Sequence, residues 1–183
     1  MEEKTSQRNW KRSVTLGVTV VVALGVAYII GAFVVGPGSV KAGGGVIPTA
    51  VLDMPTGILT GADGDGNTIT LLVRIAETTE ARTAGLRNVG VKALDSMVLL
   101  YAHAKAQTTR VSYDTSGIRA PLELAVIDES GSVVTVKKAS KTSMSVSVSE
   151  KHQWVLAAKQ GLLAKLGIAQ GSVVKPGDMR RIA

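Results

Sequence analysis

The most constraining feature of the sequence is a charge-free apolar run near its N-terminus. Residues 14–35 read VTLGVTVVVALGVAYIIGAFVV and contain no Asp, Glu, Lys or Arg. As an α-helix rising about 1.5 Å per residue, the run would extend ~33 Å, which is enough to span the hydrocarbon core of a bilayer. Lipid offers no water to unpaired backbone groups, so the run is expected to stay helical despite its glycines. The sequence therefore predicts one transmembrane helix over residues 14–35.

The charges flanking the run predict its orientation. The basic residues before it are Lys4, Arg8, Lys11 and Arg12, whereas Lys41 is the one that follows closely. Positive charge accumulates on the cytoplasmic side of membrane spans. Residues 1–13 are therefore expected in the cytoplasm, and the rest of the chain on the periplasmic or extracellular side of an inner (cytoplasmic) membrane.

A cleaved signal peptide is the alternative interpretation of the same segment. The small residues around Val40-Lys41-Ala42 suit a signal peptidase, which would cut after Ala42. The apolar run is longer than the usual core of a signal peptide, which favours a retained anchor. Gly and Ala recur along the run, and this composition fits both a span packed against a partner helix and an isolated span.

Composition narrows the classes of partner. The formal net charge is +7 and aromatic residues make up 3% of the chain. Nucleic-acid binding would favour clustered basic residues and stacking aromatics, but Lys and Arg are scattered here, so no nucleic-acid partner is expected. Cysteine is absent, which excludes disulfides, thiolate nucleophiles and Cys-ligated zinc.

The remainder of the chain is expected to form a tether followed by one domain. Gly and Pro between residues 36 and 67 predict a flexible tether and an irregular arm, and residues 68–183 an extracytoplasmic domain. Strands are predicted at Thr68–Ile75, Ser96–Tyr101, Arg110–Tyr113, Pro121–Asp128, Ser132–Lys137, Ser143–Ser149 and Trp154–Ala158, with a closing strand near Val173-Val174. Short helices are predicted after a Thr78 cap and over Gln160–Leu166. Strands outnumber helices in a mixed order, which indicates an α+β fold.

The segment Asp63-Gly64-Asp65-Gly66-Asn67 has the alternating oxygen ligands of a calcium loop. The rest of that pattern is missing, because Thr68 stands where the turn glycine belongs and Arg74 where the bidentate Glu belongs. A turn leading into the strand at Thr68 is the favoured interpretation.

Several short motifs, in order, resemble an uncharacterised family, domain of unknown function 192. The resemblance runs over roughly residues 68–174, and it implies a compact, mainly β, barrel-like domain with two or three short helices, often secreted or membrane-tethered. The matching segments are Ala76–Leu86 for the family's Ala-(Asp/Glu)-Thr-x-x-Glu-x-x-x-Gly-Leu-Met, Ser96–Leu100 for Gly-Met-Leu-Phe, Pro121–Val133 for its Pro-Leu-Asp hairpin, and Trp154–Ala157 with Leu166–Ser172 for its closing segment.

One departure from the family pattern bears on function. Before Pro-Leu-Asp the family carries Trp-Met-Lys-Asn-Thr, its most distinctive polar cluster, and this chain has Asp114-Thr115-Ser116-Gly117-Ile118. The carboxylate expected after Val-Leu is replaced by Ala157. If the family has a ligand or chemical site there, this member is expected to have lost it.

No recognisable reaction motif remains. His103 and His152 are interpreted as two isolated surface histidines, since neither belongs to a metal-binding pattern. Six carboxylates could in principle pair as acid and base, but caps, turns and solvated faces are the preferred interpretation: Glu77, Glu80, Asp95, Asp114, Glu123 and Asp128. No enzyme activity, catalytic residue, cofactor or metal site is therefore predicted.

The leading functional hypothesis is a non-catalytic accessory or structural subunit of a larger membrane protein complex, whose domain packs on the periplasmic face. The lipid bilayer and an integral membrane complex (photosynthetic, respiratory or of the envelope) are the expected partners. A tethered periplasmic ligand-binding or enzymatic domain is the second hypothesis, with Asp114, Glu123 and Arg119 next to the altered motif. A self-associating envelope protein is the third.

Overall fold

The computed structural model describes residues 46–182, which form a mainly β domain with short helices. The strands are β1 (Thr56–Ala62), β2 (Thr68–Ala76), β3 (Val98–Gln107), β4 (Val111–Asp114), β5 (Leu122–Ile127), β6 (Val133–Ala139), β7 (Ser145–Val148), β8 (His152–Lys159), β9 (Val173–Val174) and β10 (Arg180–Ile182). The helices are α1 (Thr49–Leu52), α2 (Thr79–Ala84), α3 (Val91–Leu94), α4 (Leu162–Lys165) and a 3₁₀ turn, Pro176–Asp178.

The strands form one large curved sheet and one small two-stranded sheet. The large sheet has the order β10-β1-β2-β3-β8-β5-β6, with β9 also paired to β1. The β2–β3 pair is parallel and the other pairs are antiparallel. The small sheet pairs β4 with β7.

Strand β9 links the two ends of the large sheet. Val174 pairs with Gly61 of β1, and its backbone N–H also donates to the carbonyl of Gly131, just before β6, at 2.8 Å. The neighbouring N–H of Val133 donates to the carbonyl of Ser172 at 2.9 Å. The sheet therefore curls into a half-barrel whose open side is bridged by β9.

Two hydrophobic clusters pack on opposite faces of the central strands. The helix-side cluster includes Leu99, Leu124 and Val155 and is covered by α1–α3 and by the small β4–β7 sheet. The barrel-side cluster includes their sequence neighbours Leu100, Ala125 and Leu156 and is closed by α4 and β9. Because successive side chains of a strand point to opposite faces, β3, β5 and β8 must be apolar on both, which explains why all six residues of β5 are buried.

Most of the elements expected from the sequence are confirmed. The strand at Thr68, the hairpin of β5 and β6, and the capped helix α2 occur where the patterns placed them. The Thr78 hydroxyl accepts the N–H of Ala81 at 3.1 Å, as an N-cap residue does. The expected mainly β, barrel-like domain is thus present as a half-barrel.

Two local expectations are wrong. The segment before Thr68 was expected to be an irregular arm, but Thr56–Ala62 forms a strand paired with β2 along its whole length. The glycines of this segment are typical of loops, which is why a strand was not predicted. Gly61 is nevertheless required inside the strand, because a Cβ there would lie 2.3 Å from the carbonyl oxygen of Val173. The strand predicted at Ser143–Ser149 extends only over Ser145–Val148, and Met144 precedes it and is 71% exposed.

The predicted membrane helix at residues 14–35 lies outside the described residues. Within residues 46–182, no helix is both long and apolar enough to cross a membrane.

Candidate functional site

The altered family motif lies where the β4–β5 connection meets the segment after α2. The Arg87 guanidinium forms an ion pair with the Asp114 carboxylate and also donates to the Ser116 hydroxyl at 3.2 Å. The second Asp114 oxygen accepts the N–H of Ser116 at 2.7 Å. Both carboxylate oxygens are therefore engaged. We call this arrangement of Arg87, Asp114 and Ser116 the clamp.

Backbone contacts fix the clamp further. Asn88 has a positive φ of 61°, and its N–H donates to the carbonyl of Gly117 at 3.2 Å. Gly117 has φ +73°, and a Cβ there would lie 3.0 Å from Cγ of Arg87. The turn glycine thus lets the arginine side chain lie against the backbone. Hydrogen bonds from Ser116, with a smaller contribution from the Arg87 charge, hold the pKa of Asp114 below its usual value.

Two residues of the clamp stand at positions where this chain differs from the family pattern. The family has Met after Gly-Leu, where this chain has Arg87, and Trp at the first position of its polar cluster, where this chain has Asp114. In this chain the two positions are joined by an ion pair. The sequence indicated the loss of the motif, but nothing in the spacing indicated that Arg87 would meet Asp114.

A second polar cluster joins the two histidines through Tyr113. The Tyr113 hydroxyl lies 2.8 Å from Nε2 of His152 and 2.9 Å from Nε2 of His103. Nδ1 of His152 lies 2.7 Å from the carbonyl oxygen of Glu150, so Nδ1 carries the proton and donates to it. Nε2 of His152 must then accept the Tyr113 hydroxyl proton, and His103 donates its Nε2–H to the Tyr113 oxygen.

The interpretation of the histidines as isolated surface residues is wrong. His152 is fully buried and His103 is partly buried, with their ring centroids 5.8 Å apart. They meet because β3 bulges after Ala102, so that pairing with β8 resumes only at Gln107 opposite His152. A bulge re-aims side chains, and its position is not visible as a pattern in a single sequence.

Burial shifts the pKa values of His103 and Tyr113. Desolvation, aided by the positive charge of Arg82, lowers the pKa of His103 to about 4. Desolvation also raises the pKa of Tyr113 well above its ordinary value. At neutral pH His103 is therefore uncharged and Tyr113 keeps its hydroxyl proton.

The remaining candidate residues are spread over the domain. Glu123 is buried, and its carboxylate accepts the N–H of Leu163 at 2.7 Å, which fixes α4 against β5. Ala157 is buried in the helix-side cluster. Arg119 is exposed. Asp95 pairs with Lys159 at 2.5 Å, and Asp128 accepts the N–H groups of Ser130 and Ser132 in the β5–β6 turn.

The segment that resembled a calcium loop is a turn, as the sequence favoured. One oxygen of Asp63 accepts the N–H groups of Asp65 and Asn67 at 2.9 and 2.8 Å, and the other accepts the Asn67 side chain at 2.9 Å. Within residues 46–182, no cluster of three or more His, Cys, Asp or Glu side chains could hold a metal ion.

A shallow groove of about 310 Å³ lies between α1 and α2, and its lining includes no residue of the clamp or of the histidine cluster. Ala50, Met54 and Ala81 are among its apolar lining residues. Glu77 at its rim is held by both guanidinium nitrogens of Arg181, at 3.0 and 2.6 Å. Glu80 also lines the groove.

Two solved structures share the fold. One is a protein from Sinorhizobium meliloti 1021 described as a candidate transcription regulator, with a TM-score of 0.59 and 18% identity, over 67% of this chain and 94% of that chain. The other is a protein of unknown function from Novosphingobium aromaticivorans DSM 12444, with a TM-score of 0.54 and 16% identity, over 70% of this chain and 97% of that chain. At these identities the likeness concerns the fold alone.

No functionally curated protein matches the sequence. The family model of DUF192, described as "Uncharacterized ACR", matches residues 60–176. This range contains the half-barrel strands from the end of β1 to β9 together with the clamp and the histidine cluster. The chain therefore belongs to the uncharacterised family of domain of unknown function 192.

Proposed function

We propose that this protein is a non-catalytic accessory subunit of a larger membrane protein complex, anchored by residues 14–35 and docked through its extracytoplasmic domain. The observation that carries the proposal is the clamp. It occupies the place of the family's distinctive polar cluster, and it directs its charged groups at each other rather than at a ligand.

The chemistry of the substituted residues supports this interpretation. A Lys and an Asn would offer an ammonium and a carboxamide to a bound molecule. Ser116 and Gly117 instead form a turn whose polar groups bond to Asp114, Arg87 and Asn88. The polar groups of this turn are therefore bonded within the protein. A binding or catalytic site would instead keep its polar groups free to contact a ligand.

The two other carboxylate positions near the family motif support the same conclusion. Glu123 is used to hold the backbone of α4, and Ala157 has no polar side chain at all. Together with the clamp, these two positions support a domain whose role is to pack against and interact with a partner protein.

Migration of the native protein tests the proposal. Membranes are solubilised in a mild detergent, and the chain is followed by native electrophoresis and by identification of what copurifies. Comigration with a large assembly is expected. Migration as a lone monomer contradicts the proposal, and crosslinking into homo-oligomers alone would favour a self-associating envelope protein.

The histidine cluster favours a second candidate, a tethered ligand-binding or enzymatic domain. His103 is a partly exposed imidazole held neutral and oriented by a buried tyrosine, which is how a proton acceptor can be positioned. The chain has two histidines, so imidazole NMR signals of the full chain in detergent report on this cluster directly. A small molecule that shifts the His103 signal, and binds more weakly to the Tyr113→Phe variant, would favour this candidate over the first.

Alanine replacement at Asp114 and at two residues that follow the altered motif separates the two candidates. Asp114→Ala, Glu123→Ala and Arg119→Ala should abolish binding of such a molecule if the second candidate is correct. If the protein is an accessory subunit, the Arg119→Ala variant, changed at an exposed site, should assemble into the large complex normally. No binding signal should be lost.

A further inference from the structure

The groove between α1 and α2 combines apolar walls with an acidic rim. Ten of the described residues line it, and three of these are acidic while none is basic. The acidic residues are Asp53, Glu77 and Glu80. The chain as a whole carries a formal net charge of +7. The groove is therefore a local concentration of negative charge on a basic protein.

Hydrogen bonds from two arginines hold the walls of the groove in place. Arg74 of β2 donates to the carbonyls of Leu52 and Met54 at 2.8 and 3.0 Å, which fixes the C-terminal end of α1. Arg82 of α2 donates to the carbonyl of Ala102 at 3.1 Å, which ties α2 to β3. The groove is thus preformed, so an incoming group does not have to order its walls.

Two of the three rim carboxylates remain available to an incoming cation. Glu77 is already bound by the Arg181 guanidinium through two hydrogen bonds. Asp53 and Glu80 are exposed, and within residues 46–182 neither forms an ion pair. Hydrogen bonds from its own backbone N–H and from the Thr78 hydroxyl hold the pKa of Glu80 below its usual value, so this carboxylate is charged at neutral pH.

Apolar walls next to free carboxylates match a long cationic side chain. Such a side chain buries its apolar stem against apolar surface and keeps its charged head near water. A guanidinium is less strongly hydrated than an ammonium group, and it can bind a carboxylate through two hydrogen bonds, as Arg181 binds Glu77 in this structure. A volume of about 310 Å³ is small for a ligand pocket, which favours one side chain over a larger molecule.

We propose that this groove receives an arginine side chain of the partner protein. The stem of the arginine lies against Ala50, Met54 and Ala81, and its guanidinium pairs with the rim carboxylates Asp53 and Glu80. The occupant follows from charge complementarity at the rim and from the apolar walls. This inference rests on the proposed function, because it names a contact through which the domain docks on the membrane complex.

Binding of an arginine side-chain analogue tests the groove itself. The full-length chain in detergent is labelled at its methionine methyl groups and titrated with n-butylguanidinium, followed by NMR. The uncharged analogue n-butanol is titrated separately. Met54 lines the groove and reports on its occupation, whereas Met144 is not among the lining residues and serves as the internal control. We expect n-butylguanidinium to shift the Met54 signal and to leave the Met144 signal in place.

Matched charge variants show whether the rim carboxylates bind the analogue. Asp53→Asn removes one rim charge, and Asp65→Asn removes the same charge in the exposed turn between β1 and β2, outside the groove lining. Asp53→Asn should weaken binding of n-butylguanidinium by about threefold, and Asp65→Asn should leave the affinity unchanged. Absence of a Met54 shift, equal affinity for n-butanol, or equal effects of the two variants would overturn the proposal.

Assembly in native membranes tests the occupant. Asp53→Asn combined with Glu80→Gln should lower the fraction of chain that comigrates with the large assembly, and Asp65→Asn should not. Because the chain has no other cysteine, a photocrosslinker attached to Ala50→Cys captures whatever lies in the groove. The captured partner segment should contain an arginine whose replacement by Gln lowers comigration in the wild-type background, with little further effect in the combined variant. A captured segment without an arginine would overturn the proposal.

The same experiments separate this inference from the proposed function. If the wild-type chain comigrates with a large assembly and the combined variant does so equally well, the inference is wrong and the accessory role stands. If the wild-type chain migrates as a lone monomer, the proposed function is wrong, and the groove has no partner to receive.

Discussion

Tyr113 holds the histidine cluster together because its hydroxyl serves both rings. Replacing it with Phe would keep the ring packing against Tyr101, whose centroid lies 5.0 Å away, and remove the shared hydroxyl. Nε2 of the fully buried His152 would then lack its donor. We expect Tyr113→Phe to lower the free energy of unfolding by about 1–3 kcal/mol, measured by denaturant unfolding.

Tyr101→Phe is the matched control for this change. Tyr101 is equally buried, but among the described residues its hydroxyl has no hydrogen-bond partner. The loss should therefore stay well below that of Tyr113→Phe. Equal effects of the two variants would show that the hydroxyl network contributes nothing.

The low pKa of His103 predicts a pH dependence of stability. Its folded-state pKa of about 4 lies below the ordinary value of 6.5, mainly because of desolvation. The unfolded chain therefore binds more protons between these two values, and stability should fall as the pH falls through this window. Unfolding at pH 7.5 and pH 4.5 should show this fall, and His103→Gln should reduce it. An NMR titration of His103 centred near 6.5 would contradict the assignment.

At the level of elements, bridging of the half-barrel by β9 depends on Gly131. It has φ +88°, and a Cβ there would lie 2.1 Å from the carbonyl oxygen of Val174. Gly131→Ala must therefore strain the backbone and also push β9 away from the β5–β6 turn. We expect a loss of more than about 2 kcal/mol in the free energy of unfolding, clearly above the left-handed strain alone.

Gly171→Ala supplies the comparison. Gly171 has nearly the same backbone conformation, φ +90°, but nothing lies within 4 Å of a Cβ placed there. Its cost should be limited to conformational strain of about 1–2 kcal/mol. If Gly131→Ala costs no more than Gly171→Ala, the contact between β9 and the turn does not stabilise the half-barrel.

The elements that local patterns specify could be predicted from the sequence. The β5–β6 hairpin is defined by apolar runs around Asp128 and Gly131, and α2 by the Thr78 cap. Strand β1 was missed because Gly57 and Gly61 suggest a loop, whereas close contacts with Met179 and Val173 require them. The meetings of Arg87 with Asp114 and of His103 with His152 depend on tertiary packing and on a bulge, which no local spacing records.

At the scale of the whole molecule, the domain is a stable half-barrel, and the polar groups of its altered family motif bond to one another. The central strands are buried on both faces, so the fold does not depend on a ligand at the clamp for its core. The proposed role as an attached subunit then depends on the retention of residues 14–35 in the membrane. A chain cut after Ala42 would keep the domain and lose the attachment.

The most direct measurement is the intact mass of the protein recovered from carbonate-washed membranes. The account predicts that the chain stays in the membrane pellet and that its mass includes residues 14–35. Recovery in the wash, or a mature chain whose mass corresponds to a start at Gly43, would contradict it.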